Sequence, residues 1–157
     1  MRLSSMADYA VVVMVAAARH CGGAQVNASQ LAEEAGLPAP TVQKLVSRLV
    51  VAGLLRSSRG SGGGLRLARP AAAISLVDII EAVEGPIALT PCVEAGKHDC
   101  ALEQGCAVRP HWPVVNDAVR GALAEVSLSR LVAGRGAKVP TQTGTQTGTQ
   151  TMMEAVQ

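Results

Sequence analysis

Three of the four cysteines lie within fifteen residues of one another: Cys92, Cys100 and Cys106. Cysteine thiolates are the usual ligands of iron–sulfur clusters, and clusters accept irregular spacing along a loop that wraps them. A structural zinc site would more often contain two cysteines separated by two residues, a pattern that this segment lacks. The spacing therefore favours an iron–sulfur cluster, either 2Fe-2S or 4Fe-4S, over zinc. Incidental buried thiols and a thiol–disulfide switch are the alternatives.

A cluster with four ligands needs one side chain more than these cysteines provide. His98 and His111 are the local candidates, and a His, Asp or Glu from another segment is a further one. A ligand other than a thiolate weakens the hold on a cluster, which suits a sensor better than an electron carrier.

The N-terminal and C-terminal halves of the chain carry opposite net charge. Residues 1–70 contain eight Lys or Arg and three acids, whereas the remaining 87 contain six and nine. Between Lys44 and Arg69 there are six basic residues and no acid, which indicates a surface that binds a polyanion. The only aromatic residues are Tyr9 and Trp112, which disfavours a reader of single strands that stacks bases on aromatic rings.

Local signals predict three helices in the basic half. The first runs from Ser4 or Ser5 to about His20. Asn27 begins the second and Gly36 ends it.

Pro40 opens the third helix, whose apolar residues recur at helical spacing and leave a polar and basic outer face. The last two helices form a helix-turn-helix pattern, whose second helix enters the major groove. Thr41 and Gln43 would then read base edges, while Lys44 and Arg48 would bind phosphates or guanine. The outer face consists of Thr41, Gln43, Lys44, Ser47 and Arg48.

The glycine-rich segment after the third helix predicts a β-hairpin, with strands at 54–58 and 65–67. Such a hairpin is the wing of a winged helix, and Arg59 at its turn could enter a narrow minor groove. The predicted DNA contacts also include Ser61 at the turn and Arg2.

The acidic half combines a helix, the cysteine loop and a longer helix. Ser75 begins the first helix and Gly85 ends it, and Pro113 begins the second, with another turn at 127–131. An apolar stripe on the longer helix favours a two-fold dimer, because paired operator half-sites require paired readers. The stripe consists of Val115, Ala118, Val119, Ala122, Leu123 and Val126.

These elements predict a mainly α fold with a small β-hairpin. We expect a winged helix-turn-helix domain at 1–70 and the cluster loop with the dimerisation helices at 71–133. The Thr/Gln/Gly repeat at 141–151 predicts a disordered tail, to which we assign residues 134–157. Asp8 precedes the apolar run near the N-terminus, which argues against a signal peptide, so we expect a cytoplasmic protein without a membrane segment.

Residues 1–133 resemble the Rrf-type bacterial winged-helix iron–sulfur regulators, the family that includes IscR, NsrR and RirA. The resemblance rests on Met1-Arg2-Leu3, Asp8-Tyr9-Ala10, the wing sequence at 59–67, and the three cysteines before Trp112. Segments 84–92 and 106–112 look closest to the branch that regulates the SUF cluster-assembly operon. The resemblance implies a homodimeric, DNA-binding regulator with one cluster per subunit, which represses cluster-assembly genes when clusters are plentiful.

The resemblance assigns Cys92, Cys100 and Cys106 to the cluster and Arg59 to the minor groove. IscR-like members have a histidine three residues after the third cysteine, where this chain has Arg109, which cannot be a ligand. In the NsrR-like branch an aspartate from the first helix of the partner completes the cluster, and Asp8 matches that position. The resemblance therefore favours Asp8 of the partner subunit over His111 as the fourth ligand.

The predicted function is that of an iron–sulfur-sensing repressor that binds double-stranded operator DNA. It has no catalytic residues and no small-molecule substrate. One alternative is a repressor of the same fold that responds to thiol oxidation, nitric oxide or iron. Another is a small electron-transfer protein whose basic half binds an acidic partner.

Overall fold

The computed structural model describes residues 3–20, 25–58, 63–93, 100 and 105–134, and the fold of these residues is mainly helical with one antiparallel hairpin. The predicted fold class is confirmed. Single 3-10 turns occur at Ala71–Ala73, Pro91–Val93 and Arg109–His111. The helices and strands are α1 (Ser5–Arg19), α2 (Ala28–Ala35), α3 (Ala39–Val51), β1 (Leu55–Ser57), β2 (Leu65–Leu67), α4 (Leu76–Glu84), α5 (Trp112–Ala124) and α6 (Leu128–Ala133).

Helix α2 of the helix-turn-helix begins and ends where its local signals predict. The Asn27 side chain accepts from the Gln30 backbone N–H at 2.8 Å, and the Gln30 side chain accepts from the Asn27 N–H at 3.0 Å. Gly36 then adopts a left-handed φ of 64°, which turns the chain toward α3 without a side-chain clash. Helix α3 begins at Ala39, one residue before the predicted start at Pro40.

Strand β2 of the wing has a second backbone partner at its first residue, next to the turn. Leu55 pairs with Leu67, and Ser57 pairs with Leu65. Leu65 also forms an isolated bridge with Val26, which precedes α2, through hydrogen bonds of 2.7 and 3.3 Å. The backbones approach so closely here that a Cβ atom on Gly64 would lie 2.8 Å from the Gln25 Cβ. The start of β2, on the turn side of the hairpin, is therefore fixed to the segment between α1 and α2.

Helix α1 lies at the centre of the core. It packs against α2 and α3 of the basic half and against α4 and α6 of the acidic half. Helix α6 reaches α1 because Ser127 forms an isolated bridge with Ser75, directly before α4. The largest fully buried side chains of the described residues are Met14, Leu31, Leu45, Leu49, Leu54, Leu55, Ile74, Ile79, Ile80 and Leu128.

Helix α5 differs from its prediction in two ways. It begins at Trp112, one residue before Pro113. Its apolar residues occupy two faces rather than one continuous stripe. The face toward the protein holds Asn116 at a buried position and half-buried Val119 and Leu123, at spacings of three and four residues. Val115, Ala118 and Ala122 are exposed on the other face.

The predicted disordered tail lies outside the described residues, apart from Gly134. None of the described helices has both the length and the apolar composition needed to cross a membrane. The predicted division into units at 1–70 and 71–133 remains a prediction.

Candidate nucleic-acid interface and cysteine loop

The outer face of α3 presents polar and basic side chains. Gln43, Lys44 and Ser47 are exposed, and Thr41 is half-buried near the start of the helix. The Ser47 hydroxyl donates to the Gln43 carbonyl at 2.9 Å, which occupies it on its own helix. The buried side of the same helix carries Val42, Leu45 and Leu49, which fixes the direction in which the outer face points.

Arg48 has a contact that sequence patterns did not suggest. Its Nη1 donates to the Val83 carbonyl at 2.7 Å, near the end of α4. The two residues are 35 positions apart, so no local signal could reveal the contact. This guanidinium ties the predicted reading helix to α4, whereas Lys44 has no ion-pair partner among the described residues.

The predicted wing contacts are not among the described residues. Arg59 and Ser61 lie outside the described residues, as does Arg2. The described part of the hairpin exposes two further arginines, Arg56 and Arg66, which face each other across β1 and β2.

The three predicted cluster cysteines are free and half-buried. Cys92 lies in the 3-10 turn Pro91–Val93, where its Sγ is 3.1 Å from the Thr90 Oγ1. Cys106 precedes the 3-10 turn that leads into α5, and its carbonyl accepts from the Arg109 N–H at 3.3 Å. Segments 94–99 and 101–104 between these cysteines, which include His98, lie outside the described residues, as does Cys21.

Both predicted fourth ligands are accessible. Asp8 is exposed in the first turn of α1, and His111 is exposed just before α5. Across the part of the chain that the structure describes, no three or more His, Cys, Asp or Glu side chains form a group that could hold a metal ion. A single chain thus supplies thiols of the right chemistry for a cluster but does not gather them.

Asn116 anchors the start of the cysteine loop. Its Nδ2 donates to the Ile87 carbonyl at 3.0 Å, and its Oδ1 accepts from the Leu89 N–H at 3.1 Å. Only 9% of Asn116 is exposed, and it is the only polar residue that is buried among those described. Because both the oxygen and the nitrogen of the amide form hydrogen bonds, the side chain can be buried without an unsatisfied polar group.

Glu81 on α4 holds the same segment from the other side. Its Oε1 accepts from the Ile87 N–H at 3.3 Å and from the Arg120 Nε at 2.8 Å. Arg120 Nη2 donates to the second carboxylate oxygen at 3.0 Å. The hydrogen bonds from Arg120 lower the pKa of Glu81, and the same contact raises the pKa of Arg120.

Sequence patterns did not reveal these anchors. Glu81, Asn116 and Arg120 come from two helices that are separated by the cysteine loop. The one signal in the sequence is the spacing of Asn116 from Val119 and Leu123, which places it on the inward face of α5.

Comparisons with known proteins agree with this architecture. The chain is 33% identical over 132 residues to the HTH-type transcriptional regulator IscR of Photorhabdus laumondii, covering 84% of this chain and 79% of that protein. The solved structure of CymR, the global cysteine regulator of B. subtilis, has a TM-score of 0.66 at 29% identity and covers 85% of this chain and 97% of that one. T. potens IscR has a TM-score of 0.64 at 27% identity, over 88% and 94% of the two chains.

These relatives are transcriptional regulators, not enzymes, and they favour a regulator over an electron carrier. The family model for Rrf2, described as an iron-dependent transcriptional regulator, matches residues 3–134. The resemblance inferred from the motifs is therefore confirmed at the level of the family. The chain belongs to the Rrf2 family of transcriptional regulators.

Proposed function

We propose that this protein is a cytoplasmic, homodimeric repressor that senses iron–sulfur clusters and controls SUF-type cluster-assembly genes. The observation that carries the DNA-binding part is the exposed, acid-free face of α3, next to a wing that carries further arginines. The observation that carries the sensing part is the set of three free, half-buried thiols on one loop of an Rrf2-family chain.

On this proposal α3 lies in the major groove of a pseudo-palindromic operator. Gln43 reads a base edge, since its amide can bond to an adenine through two hydrogen bonds. Lys44 binds a backbone phosphate, which gives affinity without sequence preference. Thr41 and Ser47 lie beside them, and Arg2, Arg59 and Ser61 stay predicted contacts of the N-terminus and the wing.

The second protomer is expected to cover α5. Val114 is 71% exposed and Val115 is 43% exposed, and Ala118 and Ala122 continue the exposed face along the helix. A repeated apolar face that a single chain leaves uncovered is typical of an interface between two copies. Pairing through α5 would supply the two reading helices that a two-fold operator requires.

The cluster, 2Fe-2S or 4Fe-4S, would be held by Cys92, Cys100 and Cys106. The fourth ligand would be Asp8 of the partner subunit or His111. When bound, the cluster supplies a redox- and oxygen-sensitive group whose presence depends on iron and sulfide supply. The donor set fits this group because thiolates are its preferred ligands. Binding through all of these residues would tie the loop to α1 of the partner subunit or to the start of α5, so the loop would link the cluster to the rest of the fold.

A polar network offers a route from this loop to the DNA-reading helix. Asn116 and Glu81 both bind the backbone of Ile87, where the loop begins. Glu81 lies on α4, and the carbonyl of Val83, two residues further along that helix, accepts from Arg48 of α3. A change in the loop could therefore alter the position of α4 and, through Arg48, that of α3. A ligand shifts such an equilibrium only by the difference in its affinity for the two states.

Anaerobic reconstitution tests the sensing proposal. We expect a coloured protein with iron and sulfide in stoichiometric amounts, and we expect the cluster-loaded and cluster-free forms to bind an operator with different affinity at one fixed salt concentration. Cys92→Ser should abolish the colour, whereas Cys21→Ser is the matched control and should retain it. Equal affinity of the two forms for every candidate operator would contradict cluster sensing but leave DNA binding intact.

The second candidate, a thiol-responsive repressor of the same fold, is favoured by the same three free thiols. A colourless protein after anaerobic purification, whose DNA affinity changes on oxidation and recovers with a reductant, would support that function instead.

A further inference from the structure

The wing holds two like charges directly opposite each other. Arg56 on β1 is the register partner of Arg66 on β2, and both side chains are exposed. Side chains alternate between the two faces of a strand. Leu55 and Leu65 are buried on the inner face, so the arginines share the outer face. Like charges placed opposite each other on neighbouring strands destabilise the pair.

Nothing described in the protein compensates this repulsion. Neither guanidinium takes part in an ion pair or a side-chain hydrogen bond among the described residues. Arg69 lines the same surface, but Asp78 lies 3.6 Å from it and partly neutralises it. Arg56 and Arg66 therefore form a doubly positive site with no counter-ion among the residues that the structure describes.

The two side chains border an open concavity of about 610 Å³. Val50 and Gly53, from the end of α3 and the turn after it, form another part of its wall. The concavity thus joins the end of the predicted reading helix to the outer face of the wing. Its position and charge suit a segment of polyanion that runs past both elements.

We propose that Arg56 and Arg66 together clamp one phosphate of the DNA backbone. This inference rests on the proposed operator binding and adds a contact to the one predicted for Arg59. Guanidinium groups bind phosphate oxygens through paired hydrogen bonds, so two of them can hold one phosphate from both sides. Such a contact positions the protein on the duplex and carries no sequence information.

The salt dependence of binding tests the clamp. We expect the Arg56→Gln/Arg66→Gln double variant to bind operator and random duplex more weakly by the same factor. The slope of the logarithm of affinity against that of salt concentration should become shallower by roughly 0.9 per protomer, the value for one lost phosphate contact. Arg19→Gln removes one positive charge, half of the change in the double variant, from an exposed position on α1 and should leave the slope unchanged.

Stability without DNA gives an independent readout. Because each single change removes the repulsion, we expect Arg56→Gln and Arg66→Gln to melt at the wild-type temperature or above it at low salt. Arginines that merely support the hairpin would lower the melting temperature when replaced, and that result would contradict the clamp.

Two further outcomes separate the possible failures. A wild-type protein that binds duplex DNA and a double variant with the slope of Arg19→Gln would overturn the clamp alone. A wild-type protein that binds no duplex would overturn the proposed function as well. Inorganic phosphate in place of chloride, at constant ionic strength, should stabilise the wild type and the double variant equally, because phosphate is excluded from protein surfaces in general. Protection that the double variant loses would assign the site to a free anion and overturn the DNA contact.

Discussion

Asn116 is the residue whose role the sequence concealed most completely. An asparagine on a helix between a valine and an aspartate normally points to solvent, because its amide competes with the backbone for hydrogen bonds. Here two backbone groups of the cysteine loop, at Ile87 and Leu89, satisfy that amide. The contact spans more than 25 residues of chain, so it depends on the tertiary fold rather than on any local pattern.

Glu81 gives a prediction that depends on pH. The Arg120 hydrogen bonds hold the pKa of folded Glu81 below its ordinary value of 4.5. A carboxylate with a lowered pKa stabilises the fold above the pKa of the unfolded chain, and this stabilisation is lost as the pH falls through the folded value. We therefore expect the wild type to be more stable than Glu81→Gln near neutral pH and the difference to shrink in acid.

Urea unfolding of both proteins from about pH 7 to about pH 3 measures this difference. Glu84→Gln on the same helix removes an exposed charge without an ion pair among the described residues, and it controls for the change in net charge. A gap between wild type and Glu81→Gln that stays constant across the range would contradict the assignment.

At the scale of elements, prediction succeeded where the signals are local. The helix ends at Asn27, Gly36 and Ser75 were predicted. Each is set within four residues of chain, by capping boxes at Asn27 and Ser75 and by the left-handed backbone of Gly36. The bridges from Leu65 to Val26 and from Ser75 to Ser127 join segments that are far apart in sequence, and they were missed. The predicted stripe on α5 was divided for the same reason, since only tertiary packing decides which apolar residues turn inward.

Two substitutions on α3 should affect the affinity and the sequence specificity of DNA binding separately. We expect Lys44→Gln to weaken binding to all duplexes alike and to make the salt slope shallower by roughly 0.9 per protomer. Gln43→Ala should instead lose discrimination at one base pair, by about 1–3 kcal/mol, because one amide-to-base contact disappears. Fluorescence anisotropy with an operator and its single-base variants measures both effects. If Gln43→Ala weakened operator and random DNA equally, Gln43 would not be reading a base.

At the scale of the whole molecule, one core joins the predicted DNA-binding and sensing parts. Helix α1 packs against elements of both, so neither part can unfold without exposing residues of the other. Outside this core, the outer face of α5 exposes the apolar side chains of Val114, Val115, Ala118 and Ala122. The cysteines could be read from the sequence as candidate ligands, whereas their arrangement could not, because it depends on how the loop folds against α4 and α5.

The proposed dimer predicts the effect of a charge on α5. Val115→Glu should raise the dissociation constant of the dimer roughly tenfold or more, because an unpaired carboxylate in an interface is costly to desolvate. The monomer should remain folded, since Val115 is 43% exposed in the single chain. Sedimentation across a concentration series measures the change. Val51→Glu, at a valine on α3 that is 90% exposed, should sediment as the wild type does. A dimeric Val115→Glu would place the interface elsewhere.

The bridge between Val26 and Leu65 limits how a regulatory signal can act on the DNA-binding surface. A two-stranded hairpin is only marginally stable alone and would bend freely. Here the start of β2 is attached to the backbone that leads into α2, and α2 in turn packs against α3. The arginine-bearing ribbon and the reading helix must then pivot as one rigid body. In the proposed dimer, a regulatory signal would then change the distance or angle between the two DNA-binding units, rather than the arrangement of α3 and the wing within either unit.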